Sequence, residues 1–142
     1  MINKTAIRFG YPETLIREYK DWVVLLREQQ VTLGSLVLCA KSEATEFSAL
    51  PLDAFEEMSI VIRDIERVLK AVFDYEKINY LMLMMVDPNV HFHVIPRYAV
   101  ERSACGLSIQ DTGWPKAPNL GDARELSSEE RDALCEHIIG YW

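Results

Sequence analysis

The sequence predicts an α+β fold, and three observations carry that expectation. Two pairs of short apolar runs, each joined by a polar link, read as antiparallel hairpins. Between them lies one long, unbroken helical periodicity. A capping signal near the C-terminus announces a last helix. The chain has 142 residues, which suits a single domain over 1–142.

The elements follow in order. Residues 12–20 admit either a short helix or an approach to the first strand. Trp22 to Leu26 is a short apolar run bounded by charges, as in a strand. Gln29-Gln30 begins a turn, and Leu33 to Ala40, entered through Gly34, forms the return strand. Leu52, Phe55, Met58, Val61, Ile62, Ile65, Val68, Leu69, Val72 and Phe73 recur at spacings of three and four, the apolar stripe of one helix over 51–75. Pro51 sits at its start, where the missing N–H costs nothing. Asp53, Glu56 and Glu57 lie in its first turns, where the helix dipole favours negative charge. Ile78 to Val86 is almost wholly apolar and reads as a central strand covered on both faces. Asp87-Pro88-Asn89 signals a tight turn into a further strand, Val90 to Tyr98. Residues 99–126 hold three glycines and two prolines and read mostly as loop. Ser127-Ser128-Glu129-Glu130 caps a last helix that Gly140 ends.

Composition excludes several classes. Hydrophobic residues make up 49% and charged residues 26%, a globular balance. The longest apolar run, Tyr80 to Val86, has seven residues, whereas a membrane span needs roughly 20. The first ten residues show no signal-peptide pattern, so a soluble, cytoplasmic protein is expected. The net charge of −7 argues against coating nucleic acid, because affinity for phosphate backbones comes from Lys and Arg. A small anionic ligand needs only a local site and stays open. Cys39, Cys105 and Cys135 are odd in number and lack CxxC spacing, so buried free thiols are expected rather than disulfides or structural zinc.

Two of the three histidines are His91 and His93. On a strand, residues two apart share a face, about 6.5 Å apart. Phe92 and Val94 then point into the core, and Asn89, His91 and His93 form one polar row. Three readings compete for this row. A neutral imidazole is a nucleophile near pH 7, and a second imidazole can fix its tautomer. An H-x-H pair can also supply two metal ligands, with others from His137, Asp87 or a cysteine. Finally, two polar residues can simply face solvent.

The run Asn89-Val90-His91-Phe92-His93-Val94-Ile95-Pro96-Arg97 resembles the signature of the histidine triad (HIT) superfamily, His-φ-His-φ-His-φ-φ with φ apolar, often followed by Pro-Arg. The resemblance covers a core of about 20–98, with a variable C-terminal loop and helix over 99–142. It implies an antiparallel sheet of about five strands with a long helix packed across it, and a homodimer. The apolar run Tyr80–Val86 and the long C-terminal loop also call for a partner surface. It further implies a hydrolase or transferase that cleaves nucleoside phosphoramidates or dinucleoside polyphosphates at the α-phosphorus. His91 would be the nucleophile that forms a nucleotidyl-imidazole, and His93 would orient it or contact the phosphate. No metal or cofactor is implied. Asn89, Ser35 and Arg97 are the expected substrate contacts, with a solvated strand-end arginine as the competing reading of Arg97.

The match departs from the pattern at three places. Asn89 replaces the first histidine. Met84 and Met85 stand where Gly-Gln is common, and Gly34-Ser35 where Gly-His is common. These mark a divergent branch and keep open a nucleotide-binding protein with little or no catalysis. Trp114, between Gly113 and Pro115, reads as a loop or interface anchor, and His137 as a surface or interface residue.

Overall fold

The computed structural model describes residues 2–142. It opens with a short helix α1 (Lys4–Arg8), then strands β1 (Leu15–Glu18), β2 (Trp22–Leu26), β3 (Gln29–Gln30) and β4 (Leu36–Ala40). Helix α2 (Leu52–Phe73) follows, then β5 (Lys77–Leu81) and β6 (His91–Arg97). Strands β7 (Arg102–Ala104), β8 (Leu107–Ile109) and β9 (Arg124–Glu125) precede helix α3 (Ser128–Ile139). The main sheet is antiparallel, five-stranded, in the order β1-β2-β4-β6-β5. The α+β expectation holds, and so do both strand pairs, the long helix and the capped last helix. None of the described helices is long and apolar enough to cross a membrane.

Alternation sorts the sheet into two faces. Trp22, Val24 and Leu26 of β2, Leu36, Leu38 and Ala40 of β4, and Val94 of β6 point into the main core with Val61, Ile65, Val68 and Leu69 of α2. Val23, Leu25, Val37 and Cys39 point the other way and meet Ala6 of α1, with Phe9, Tyr11 and Leu15 beside them. Both faces are therefore covered, which is why β2 and β4 read as unbroken apolar runs and are buried throughout.

Helix α2 ends at Asp74, whose backbone is left-handed at φ 50° and whose N–H donates to the Lys70 carbonyl. Gly34 stands at φ +89°, and a Cβ there would lie 2.6 Å from the Phe73 ring. The last residue of α2 thus docks directly on the approach to β4, a contact that only glycine permits. Helix α3 starts with a complete capping box between Ser127 and Glu130.

Several expectations change. Residues 15–18 of the ambiguous segment form a strand. The apolar run Ile78–Val86 is not a central strand. Its first half is the edge strand β5, half-buried, and the centre belongs to β4 and β6. The chain leaves the sheet after Leu81, Met84 adopts φ 50°, and Leu83, Met85 and Val86 are exposed. The β5–β6 connection is therefore the wide loop 82–90 rather than a tight turn at Asp87-Pro88-Asn89. Pro96 is tolerated inside β6 because the β4 pairing ends at Val94, leaving only β5 alongside. Residues 99–126 are more ordered than expected. The pair β7–β8 turns through Cys105 and Gly106, both at positive φ, and β9 pairs with β3. Cys39 and Cys135 are buried, but Cys105 is exposed.

Gly34→Ala forces a left-handed alanine against the Phe73 ring. Its expected cost is about 2 kcal/mol, read as a lower urea midpoint with an unchanged slope; a midpoint equal to wild type would contradict the close approach.

Candidate functional site

Strand β6 places the two imidazoles on the face opposite α2. Cα registers pair His91 with Cys39 and His93 with Val37, while Phe92 and Val94 pair with Leu38 and Leu36 on the α2 side. The rings are neighbours, with centroids 5.2 Å apart at 85°. Neither faces open solvent: His91 is 2% and His93 7% exposed. The reading of a solvated strand face is thereby excluded. Phe9, just after α1, packs on both rings, at 5.5 Å from His91 and 5.7 Å from His93.

Hydrogen bonding defines each imidazole. His91 Nδ1 lies 2.7 Å from the Asn89 carbonyl oxygen. A carbonyl only accepts, so Nδ1 carries the proton and a neutral His91 presents a free lone pair at Nε2. Arg27, one residue past β2, donates from Nε to His93 Nδ1 at 3.4 Å, which leaves the proton of neutral His93 on Nε2. Burial first, then the Arg27 charge and the neighbouring His91, push the His93 pKa down from 6.5 to about 4. His93 is therefore uncharged at neutral pH.

Asn89 acts differently from the expected member of a polar row. It precedes β6 and is buried. Its side chain accepts from Thr5 Oγ1 at 2.9 Å and donates to the Glu43 carbonyl at 3.0 Å. Its N–H donates to Thr5 Oγ1 at 3.1 Å. The side chain thus anchors α1 across the sheet, and the backbone carbonyl orients His91. Asn3 adds a second anchor, donating to the Ala40 and Ser42 carbonyls. Arg8 forms a third, an ion pair with Asp87 at 3.1 Å.

The other two expected substrate contacts are committed elsewhere. Ser35 is fully buried, and its hydroxyl donates to the Thr32 carbonyl at 2.7 Å and accepts the Thr32 N–H. That bonding holds the turn into β4 and leaves no free donor for a ligand. Arg97 is 4% exposed and grips Asp111 through Nε at 2.8 Å and Nη2 at 3.1 Å, with Nη1 on Asn79. A buried, doubly bonded ion pair of this kind holds β6 to the segment after β8, and losing one partner would strand the other's charge. Arg97 instead lines a separate cavity of about 540 Å³ with Trp114 and Lys116. It is not a solvated strand end either. His137 packs against Phe73 and Tyr141. Among the described residues, no set of three His, Cys, Asp or Glu side chains gathers to hold a metal ion.

Sequence reading missed Arg27 and Phe9. Continuing the Val23, Leu25 alternation by two residues does put Arg27 on the histidine face. The register that sets it beside His93 spans β2, β4 and β6, and no local pattern encodes that. Phe9 and Arg27 both line a cavity of about 350 Å³ that also touches Arg8 and Gln29.

Comparison with known proteins agrees with this architecture. The HIT domain family model matches residues 8–100. A histidine triad protein from Sinorhizobium meliloti superposes with a TM-score of 0.74 at 22% identity, covering 100% of this chain and 96% of its own. A hypothetical histidine triad nucleotide-binding protein from Sulfolobus tokodaii gives 0.72 at 16% identity, covering 90% and 82%. Plasmodium falciparum diadenosine triphosphate hydrolase gives 0.68 at 12% identity, covering 92% and 76%. No curated protein sequence matches the chain.

The depressed His93 pKa links stability to pH. The unfolded chain binds a proton near pH 6.5, while the folded chain resists until about pH 4. The stabilisation is fully present above pH 6.5 and is lost as pH falls toward 4. The thermal midpoint should drop across that window, and His93→Asn should drop less steeply; parallel slopes would contradict the burial of a neutral imidazole.

Proposed function

Because the chain belongs to the HIT domain family, we propose that it is a nucleotide hydrolase or nucleotidyl transferase acting at the α-phosphorus of a nucleoside phosphoramidate or dinucleoside polyphosphate. The observation that carries this reading is the hydrogen bond from His91 Nδ1 to the Asn89 carbonyl, which leaves Nε2 as an oriented nucleophile. Nε2 attacks the α-phosphorus and forms an N–P bond as the bond to the leaving group breaks. The leaving group takes a proton from solvent. Water then attacks the adduct and releases a proton to solvent, the N–P bond breaks, and the nucleoside monophosphate departs from a regenerated His91. His93 contributes its Nε2–H to a phosphate oxygen. Negative charge spread over the phosphoryl oxygens is what such donors stabilise.

The missing first histidine has a physical replacement in this scheme. Orientation of His91 needs only an acceptor at Nδ1, and a backbone carbonyl serves. Phe9 packs on both rings, and in this scheme it shifts to admit substrate to Nε2. The same occlusion favours a second reading, a HIT-fold nucleotide-binding protein with little or no catalysis. Met84 and Met85, which offer no side-chain N–H donor to phosphate, point the same way.

Substrate classes separate the two. A panel of adenosine phosphoramidate and dinucleoside polyphosphates should yield AMP with the wild-type chain, and His91→Ala should lower turnover by at least about 10³-fold while circular dichroism stays native. Equal activity in that variant would remove His91 from the chemistry. Nucleotide binding by calorimetry with no product and no labelled His91 adduct would establish the binding protein instead.

The functional unit in this reading is a homodimer, as in the family resemblance. The unpaired edge of β5 and the exposed Leu83, Met85 and Val86 beyond it supply surface for a second copy. Light scattering should report about twice the 16.4 kDa of one chain; a mass of one chain at micromolar concentration would overturn the dimer.

A further inference from the structure

Arg27 is a cation without a counter-ion. It is half-buried beside His93. Its Nε is spent on His93 Nδ1 and its Nη1 on the Gln29 carbonyl. Both acceptors are uncharged. Among the described residues no carboxylate pairs with it, and its Nη2 amino group has no protein partner. Two other arginines on β6 and α1 are neutralised, Arg97 by Asp111 at 2.8 Å and Arg8 by Asp87 at 3.1 Å. Withdrawing a guanidinium from water without such compensation is costly, and burial indeed lowers the Arg27 pKa from its ordinary value.

Arg27 lines the cavity of about 350 Å³ together with Phe9, the residue that packs on both imidazoles. Three carboxylates share that cavity, and none of them pairs with Arg27. Asp87 is held by Arg8, Glu28 pairs with Arg131 at 3.6 Å, and Glu125 lies exposed on β9. The planar guanidinium can hold His93 through Nε while its Nη2 amino group makes a charged hydrogen bond to a phosphoryl oxygen. We propose that Arg27 is the phosphate-binding cation of this site, its Nη2 edge taking a phosphoryl oxygen while Nε holds His93 in place. The assignment rests on the nucleotide reading above and names the group that recognises the phosphate where Met84 and Met85 offer no donor.

Calorimetry with AMP, adenosine and inorganic phosphate tests it on the wild-type chain, Arg27→Gln and Arg27→Lys, each shown folded by its thermal melt. Loss of one charged hydrogen bond predicts AMP affinity about tenfold or more weaker in Arg27→Gln. Arg27→Lys, which keeps the charge but not the planar guanidinium, should fall between, and adenosine affinity should not change. Unchanged AMP affinity in Arg27→Gln would overturn the role of Arg27 and leave the nucleotide reading standing. Equal weakening of AMP and adenosine would also overturn it, as the mark of a structural disturbance. Arg27-dependent binding of inorganic phosphate, with AMP bound no better than phosphate, would uphold Arg27 and overturn the nucleotide reading. A wild-type chain that binds none of the three would overturn both.

Discussion

The hydrogen bonding of β6 to β4 on one side and β5 on the other is the constraint on which the molecule depends. It fixes the register of a strand whose odd and even residues have opposite duties. Phe92 and Val94 serve the α2 core. His91 and His93 meet on the far face, 5.2 Å apart. A slip of one residue would bury both imidazoles against α2 and turn the apolar pair to the far face. The core that secures this register is therefore also what aims the site.

The histidine face is shaped by the N-terminal segment. Asn3, Thr5 and Arg8 tie α1 to three different places: the end of β4, Asn89 and Asp87. These contacts seat Phe9 on the imidazoles and dry the site. Dryness has two chemical consequences. It keeps His93 uncharged, and it raises the electrostatic value of any charge brought alongside. Arg27 is such a charge, and it touches His93 from the β2 side. Asn89 joins both functions in one residue, its amide holding α1 and its carbonyl holding His91.

Much of the fold was legible because its strongest signals are local. The α2 stripe, the Ser127 capping box and the alternation around His91 each depend on neighbours a few residues apart. The weaker readings failed where the deciding contact is remote. Ile78–Val86 looks like a central strand because it is apolar, yet β4 and β6 take that place. Ser35 and Arg97 carry the right chemistry for a ligand, yet Thr32 and Asp111 consume it.

By itself the sequence determined the element types, the common face of His91 and His93 and the family signature, since helical and strand periodicities are properties of the chain alone. Tertiary structure decided which groups surround those rings. Phe9 arrives from residues far upstream, and Arg27 enters through a register spanning three strands. The proton of His91 is placed by a backbone carbonyl, which no side-chain pattern can encode. Such partners depend on where the chain returns in space, and that return is set by the packing of the whole sheet.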